Sequence, residues 1–248
     1  MSSDKGTKAG GKGSRSSSAP NRLSVARGAG MVIIRVTGSG NMMTAPALQE
    51  FADEQRLAGF RRFLFDLCEC RGMDSTFMGC IVGIYTSLRK DSGRFPVVEG
   101  SDPDAAVRAT AEQALAAHED DLEALTPEEA LGLLRNSLNK TAEGAPVDPE
   151  LLTGGIVAAV NVNEECRELL NILGVDRFVR IVGTVDLSKL EMEALPIKEM
   201  ASDERREIIL RAHENLVEID KRNEAQFGAF LRTLSAELSK SKEGRDRE

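Results

Sequence analysis

The chain has 248 residues, 41% hydrophobic and 29% charged, with 32 Lys and Arg against 40 Asp and Glu for a net charge of −8. That length fits one or two domains, and the acidic balance argues against nucleic-acid binding, which needs clustered positive charge to meet phosphate. No apolar run approaches the ~20 residues that cross a bilayer, the Gly/Ser-rich start has no secretory core, and four Cys in a chain this long do not make a secreted disulfide framework, so a cytoplasmic protein without membrane insertion is expected.

The first segment, 1–29, is Gly, Ser, Lys and Arg with almost no large apolar residues. Lys5, Lys8, Lys12, Arg15, Arg22 and Arg27 against Asp4 give residues 1–28 a charge of +5. Such composition cannot offset its ordering entropy and is expected to be a disordered basic tail. Gly6 to Gly13 nearly spells a phosphate-binding loop, but it ends in Gly13 where Ser or Thr is needed, and no strand precedes it.

From residue 30 to 91 the pattern becomes strand, helix, strand, helix. Met31 to Val36 is a β-rich apolar run closed by the turn residues Thr37 to Asn41. Leu48, Phe51, Ala52 and Leu57 share a helical face over Thr44–Arg56. Phe63 to Leu67 reads as a second strand, and Arg71-Gly72-Met73 as a loop. Phe77, Met78, Ile81, Val82, Ile84, Tyr85 and Leu88 then form a thick apolar helical pattern ending near Lys90. This alternation predicts βαβ units and a small α/β sheet.

Residues 92–154 interrupt it with thirteen acidic and four basic residues, a balance of −9. They are expected to be an acidic insertion, helical in part over 104–118 and 127–138, because so long a stretch with little core is no ordinary loop. The α/β text resumes over 155–195. Ile156 to Val162 reads as a strand, the helix from Asn163 carries Leu169, Leu170 and Leu173 and ends on Gly174, and Phe178 to Val182 alternates as a fourth strand. Finally, 202–240 reads as one long amphipathic helix. Ile209, Leu216, Ile219, Asn223, Phe227, Phe230 and Leu234 lie at spacings close to a heptad seam. That stripe either folds back on its own core or pairs with a second copy, with Asn223 fixing register and Gly228 a weak point.

Phe63-Leu-Phe-Asp66-Leu67, then Met73-Asp74-Ser75-Thr76-Phe77-Met78-Gly79, then Leu88-Arg89 resembles the strand-loop-helix centre of STAS domains, the anti-sigma-factor antagonist family. Thr37-Gly38 before Thr44-Ala45 resembles that family's first strand and helix, and Val160 to Phe178 is similar to its third strand and following helix. The likeness covers about 97 residues in two blocks, 61 and 36 long. It implies a STAS-type sheet of about four strands and a function as a regulatory protein-protein interaction module without catalytic residues. It further implies that Ser75 is a phosphoacceptor, with Thr76 the second candidate, and that Asp74, Thr76, Phe77 and Met78 form the partner-docking surface. The partner would be an anti-sigma factor or a Ser/Thr kinase of the GHKL ATPase type, in a pathway of transcription regulation. Two residues depart from the family pattern: Phe77 stands where a small Gly is usual, and Met78 where Leu is usual.

Ser75 at a helix start has two readings: an acceptor whose phosphate adds about −1.5 to −2 charge, or a plain capping residue. The alternative to the switch is a non-phosphorylated scaffold that assembles through the C-terminal helix, including as a homodimer. No enzyme, cofactor or metal is expected. His118 and His213 have no ligand-spaced partners, and Cys68-Glu-Cys70 is not the spacing of a zinc or thioredoxin site. The cysteines read as small buried apolar groups.

Overall fold

A computed structural model describes residues 20–28, 30–91, 132 and 155–245. Most of the basic tail, and all of the expected acidic insertion except residue 132, lie outside the described residues. In chain order the elements are β1 (Arg22–Gly28), β2 (Met31–Gly40), α1 (Ala45–Leu57), β3 (Arg62–Asp66), β4 (Cys70–Met73) and α2 (Ser75–Asp91), followed by β5 (Ile156–Val160), α3 (Glu164–Ile172), a 3-10 turn (Val175–Arg177), β6 (Arg180–Ile181), β7 (Glu193–Leu195), α4 (Ser202–Ile219) and α5 (Arg222–Arg245).

The sheet runs β6-β5-β3-β2-β1-β7, with β4 pairing the far end of β2. β2, β3, β5 and β6 are mutually parallel, and β1 is antiparallel to β2 and β7. β3 pairs β5 from Arg62 opposite Ile156 to Asp66 opposite Val160, so the stretches on either side of residues 92–154 build one sheet. The central strands are apolar on both faces because both are covered. One face carries Val32, Ile34, Phe63, Phe65 and Val157 toward α1 and α2. The other carries Met31, Ile33, Leu64 and Ala158 toward Val182, Val185 and Leu187.

The mixed α/β class is as expected, but among the described residues the sheet has seven strands rather than about four. The disordered tail reading fails for Arg22–Gly28, which is a strand paired on both edges. Leu23 and Val25 are buried there. Ladder hydrogen bonds on both sides and these two side chains outweigh a poor average composition. Arg71-Gly72-Met73 is not a loop but most of β4, held by β2. The fourth expected strand shrinks to Arg180–Ile181 behind the 3-10 turn.

The single C-terminal helix is a hairpin of two. It breaks at Asp220, which is extended (φ −148°, ψ 114°), and not at Gly228, which is buried within α5. The Asp220 carboxylate accepts from the Arg222 backbone N–H at 2.9 Å and from its guanidinium at 2.6 Å. Asp thereby offers the chain a turn that competes with helix. The arms return antiparallel: Ser241 Oγ donates to Asp203 at 2.7 Å, and Lys242 pairs with Glu207 at 2.9 Å. In the seam, Leu216, Asn223, Phe227 and Leu234 are buried, Ile209 and Ile219 are half-buried, and Phe230 is 43% exposed. Asn223 sets register within the chain, its amide donating to the Leu173 and Leu216 carbonyls at 3.1 and 2.8 Å.

At the carboxyl end of β3, Asp66 is fully buried. It accepts from Arg35 Nε at 2.8 Å, Asn161 Nδ2 at 2.8 Å and the Cys68 N–H at 3.2 Å. Asn161 holds a left-handed φ of 56°. Its amide is also bonded to both backbone groups of Val185, at 2.9 and 2.8 Å. One carboxylate thus joins β2, β3 and β5 to the segment that covers the second face. Replacing Arg35 by Met leaves that carboxylate without its cation, and breaking a buried pair in this way costs about 3–5 kcal/mol. Urea unfolding of the Arg35→Met variant should show a loss of that size, and a loss below about 1 kcal/mol would remove Asp66 from this role.

Candidate functional site

The candidate site forms where β4 gives way to α2. Asp74 N–H donates to the Gly40 carbonyl at 2.9 Å, continuing the pairing of β4 with β2. Its carboxylate then turns to two amides. Oδ1 accepts from Phe77 N at 2.9 Å, the N-cap bond of α2, and Oδ2 accepts from Met42 N at 2.8 Å, which fastens the loop after β2. Asp74 is therefore the capping residue. Ser75 is the first helical residue and its hydroxyl has another partner.

That partner is His213, 138 positions away on α4. Ser75 Oγ lies 2.9 Å from His213 Nε2. His213 Nδ1 lies 2.8 Å from the Ile209 carbonyl, which can only accept, so Nδ1 carries a proton, and in the neutral ring Nε2 accepts from the serine. The imidazole is 5% exposed. It meets the rings of Phe227 and Phe230 edge-on, with centroids 4.8 and 5.0 Å away. Phe230, Met42 and Met43 remain exposed around this locus.

Three of the four expected docking residues point inward. Phe77 is fully buried, Met78 is 3% exposed and Thr76 6%. The Phe77 ring lies against Gly40, where an added Cβ would come within 2.5 Å of it. The large residue at this position is accommodated by a missing side chain opposite and is core, not surface. Burial likewise removes Thr76 as an accessible second acceptor. Asp74 and Ser75 are half-buried.

The far side of α2 meets α4 at backbone distance. A Cβ on Gly79 would land on the Ala212 carbonyl, and one on Gly83 would come within 2.6 Å of the Asn215 amide. Asn215 Nδ2 donates to the Gly79 carbonyl at 3.1 Å. Gly79, Gly83, Ala212 and Asn215 make the crossing, and it is this closeness that carries His213 to Ser75. Sequence reading placed Gly79 in a motif and found no ligand-spaced partner for His213, and no local pattern could bring them together.

A cavity of about 740 Å³ opens elsewhere, lined among others by Arg35, Asp66, Cys68, Asn161, Val185 and Leu187. Its polar groups are engaged by one another and by backbone: Arg35 Nη2 donates to the Leu187 carbonyl at 2.6 Å, besides the Asp66 and Asn161 bonds. A groove of about 480 Å³ between α1 and α4 is lined by Glu50, Asp53, Lys198, Glu204, Glu207 and Arg211, among others. Neither is lined by Ser75 or His213. Among the described residues no three His, Cys, Asp or Glu are grouped to hold a metal, and no helix is long and apolar enough to cross a membrane.

Of the four cysteines, three are buried and Cys68 is exposed, so the small-apolar reading fails for Cys68. Cys166 Sγ donates to the Cys70 carbonyl at 3.8 Å and Cys70 Sγ to the Gly72 carbonyl at 3.4 Å; the neighbouring thiols draw Cys70 down and push Cys166 up. Partial burial of the Cys68 thiol, then the Asp66 charge, push it up to about 12.

No family model and no curated protein matches the chain. Among solved structures it is similar to a candidate anti-sigma factor antagonist of Thermotoga maritima, TM1081, in a crystal structure at 15% identity and a TM-score of 0.37, covering 67% of this chain and 90% of that one. An NMR structure of TM1081 is similar at 16% identity and a TM-score of 0.35, covering 74% of this chain and 91% of that one.

The thiolate is the reactive form, so Cys68 should alkylate slowly near neutral pH despite its exposure. Its rate with iodoacetamide should climb about tenfold per pH unit toward its value of about 12. A plateau near pH 9 would contradict this environment.

Proposed function

We propose that the chain is a regulatory protein-protein interaction module of the anti-sigma-factor antagonist type, switched by phosphorylation of Ser75. The partner is an anti-sigma factor or a GHKL-type Ser/Thr kinase, the setting transcription regulation in the cytoplasm. The observation that carries the reading is the division of labour at the start of α2. Asp74 supplies the cap, so Ser75 is not needed to start the helix, and its hydroxyl stands at the first turn, where free amides and the dipole favour an anion. The resemblance of residues 63–89 to the family's strand-loop-helix centre supports the same assignment, and the elements there are a strand, a second short strand and a helix in that order.

The physics of the switch needs no catalytic group. A phosphate adds about −1.5 to −2 charge at neutral pH, directly beside the Asp74 carboxylate. A binding surface built around a neutral hydroxyl would then present concentrated negative charge, which repels an acidic patch and costs desolvation wherever it is buried. The scaffold alternative relied on a free apolar stripe on the terminal helix. Leu216, Phe227 and Leu234 of that stripe are buried within the chain itself, which favours the switch over a homodimer through this helix.

Mass spectrometry of the protein isolated from its native host, under several growth conditions, tests the assignment. A phosphate is expected on Ser75 and not on Thr76, and Ser75→Ala should abolish it without a new site appearing nearby. A fully covered peptide with no phosphate in any condition would return Ser75 to a structural role.

A further inference from the structure

We propose that the α4–α5 hairpin is a latch on Ser75: closed, it withholds the hydroxyl from any modifying partner, and a phosphate on Ser75 prevents it from closing again. This rests on the reading of Ser75 as phosphoacceptor and adds what controls that site. Three observations carry it. Ser75 is half-buried and its Oγ lies 2.9 Å from His213 Nε2, so a transferring phosphoryl group has no approach along that direction while α4 is in place. The helix crossing has no slack, because a Cβ on Gly79 would already overlap the Ala212 carbonyl. Rotation of the imidazole is blocked as well, by its bond to the Ile209 carbonyl and by Phe227 and Phe230.

A phosphoryl group on Oγ must therefore displace α4 rather than fit beneath it. The competing outcome is a phosphate paired with a protonated His213. That pair would have to form at a ring only 5% exposed and packed edge-on against Phe227 and Phe230. It would also still need space that the crossing does not give. The hairpin supplies no strand to the sheet, and α4, the arm against α2, buries only Ala212, His213 and Leu216 among its eighteen residues, so on this proposal it is the helix layer and not the sheet that opens.

Hydrogen exchange on the full chain reads the latch directly, with no partner required. Protein carrying genetically encoded phosphoserine at position 75 should exchange amides of 202–245 faster than the unmodified chain by about tenfold or more, with β2, β3 and β5 unchanged. Gly79→Ala should do the same with Ser75 untouched, since Ala is the better helix former and α2 itself is not weakened. Equal or slower exchange of 202–245 in the phosphoprotein would overturn the latch, the slower result indicating a phosphate–imidazolium clasp. Loss of protection in the sheet as well would also overturn it, by showing the hairpin to be part of one cooperative unit. These outcomes do not depend on whether Ser75 is phosphorylated in the cell.

Discussion

Helix α2 has no solvent face, and most of the molecule follows from that. Thirteen of its seventeen residues are buried. A helix apolar all round must be covered all round, and a sheet can cover only one side. Phe77 and its neighbours take the sheet side, beneath Gly40. The opposite side carries Gly79 and Gly83, too small to fill a layer themselves, so another helix must come to backbone distance. The α4–α5 hairpin answers this demand, and its fold-back is a consequence of the composition of α2 as much as of its own seam.

The same constraint explains why two adjacent polar residues have unlike roles. Asp74 is spent on amides of its own layer, Phe77 N and Met42 N. Ser75 is one position further along, on the side that α4 approaches, and its hydroxyl reaches His213. A cap must satisfy amides that are orphaned whatever covers the helix. The serine bond exists only while the hairpin is docked. A modification at Asp74's position would break the helix start, whereas one at Ser75 acts on the contact between layers.

What was legible in the sequence was what depends on neighbours in the chain. The apolar runs at 31–36, 63–67 and 156–162 became parallel strands, the last ending early at Val160, and the apolar period over 77–88 became α2. Gly174 ends the preceding helix in a left-handed conformation (φ 69°). Strand β1 was hidden because its stability comes from pairing on both edges, which composition cannot report. Phe77 read as surface because the space it fills is made by Gly40, 37 positions earlier. The break at Asp220 was masked by a heptad spacing that continues through it. The phase of a stripe shows which residues share a face but not whether the chain turns between them. The Ser75–His213 contact had no sequence signal at all, being set by a crossing of small residues far apart in the chain.

An interface of this kind is specific without being extensive. Its discriminating contacts are close backbone approach at Gly79 and polar bonds from Asn215 and His213, and it has few large apolar side chains on the α4 side. Close approach excludes other geometries sharply, since a single added carbon cannot be absorbed. The latch proposed above requires docked and undocked states close enough in free energy for one local charge to decide between them, as bistable elements in switches do, and the small number of buried residues on α4 is the feature that suits it. The β-sheet has the opposite character, with large side chains buried on both faces and Asp66 joining three strands. On that proposal the sheet is the platform and the hairpin its cover, and Ser75 stands at their junction through its contact with His213.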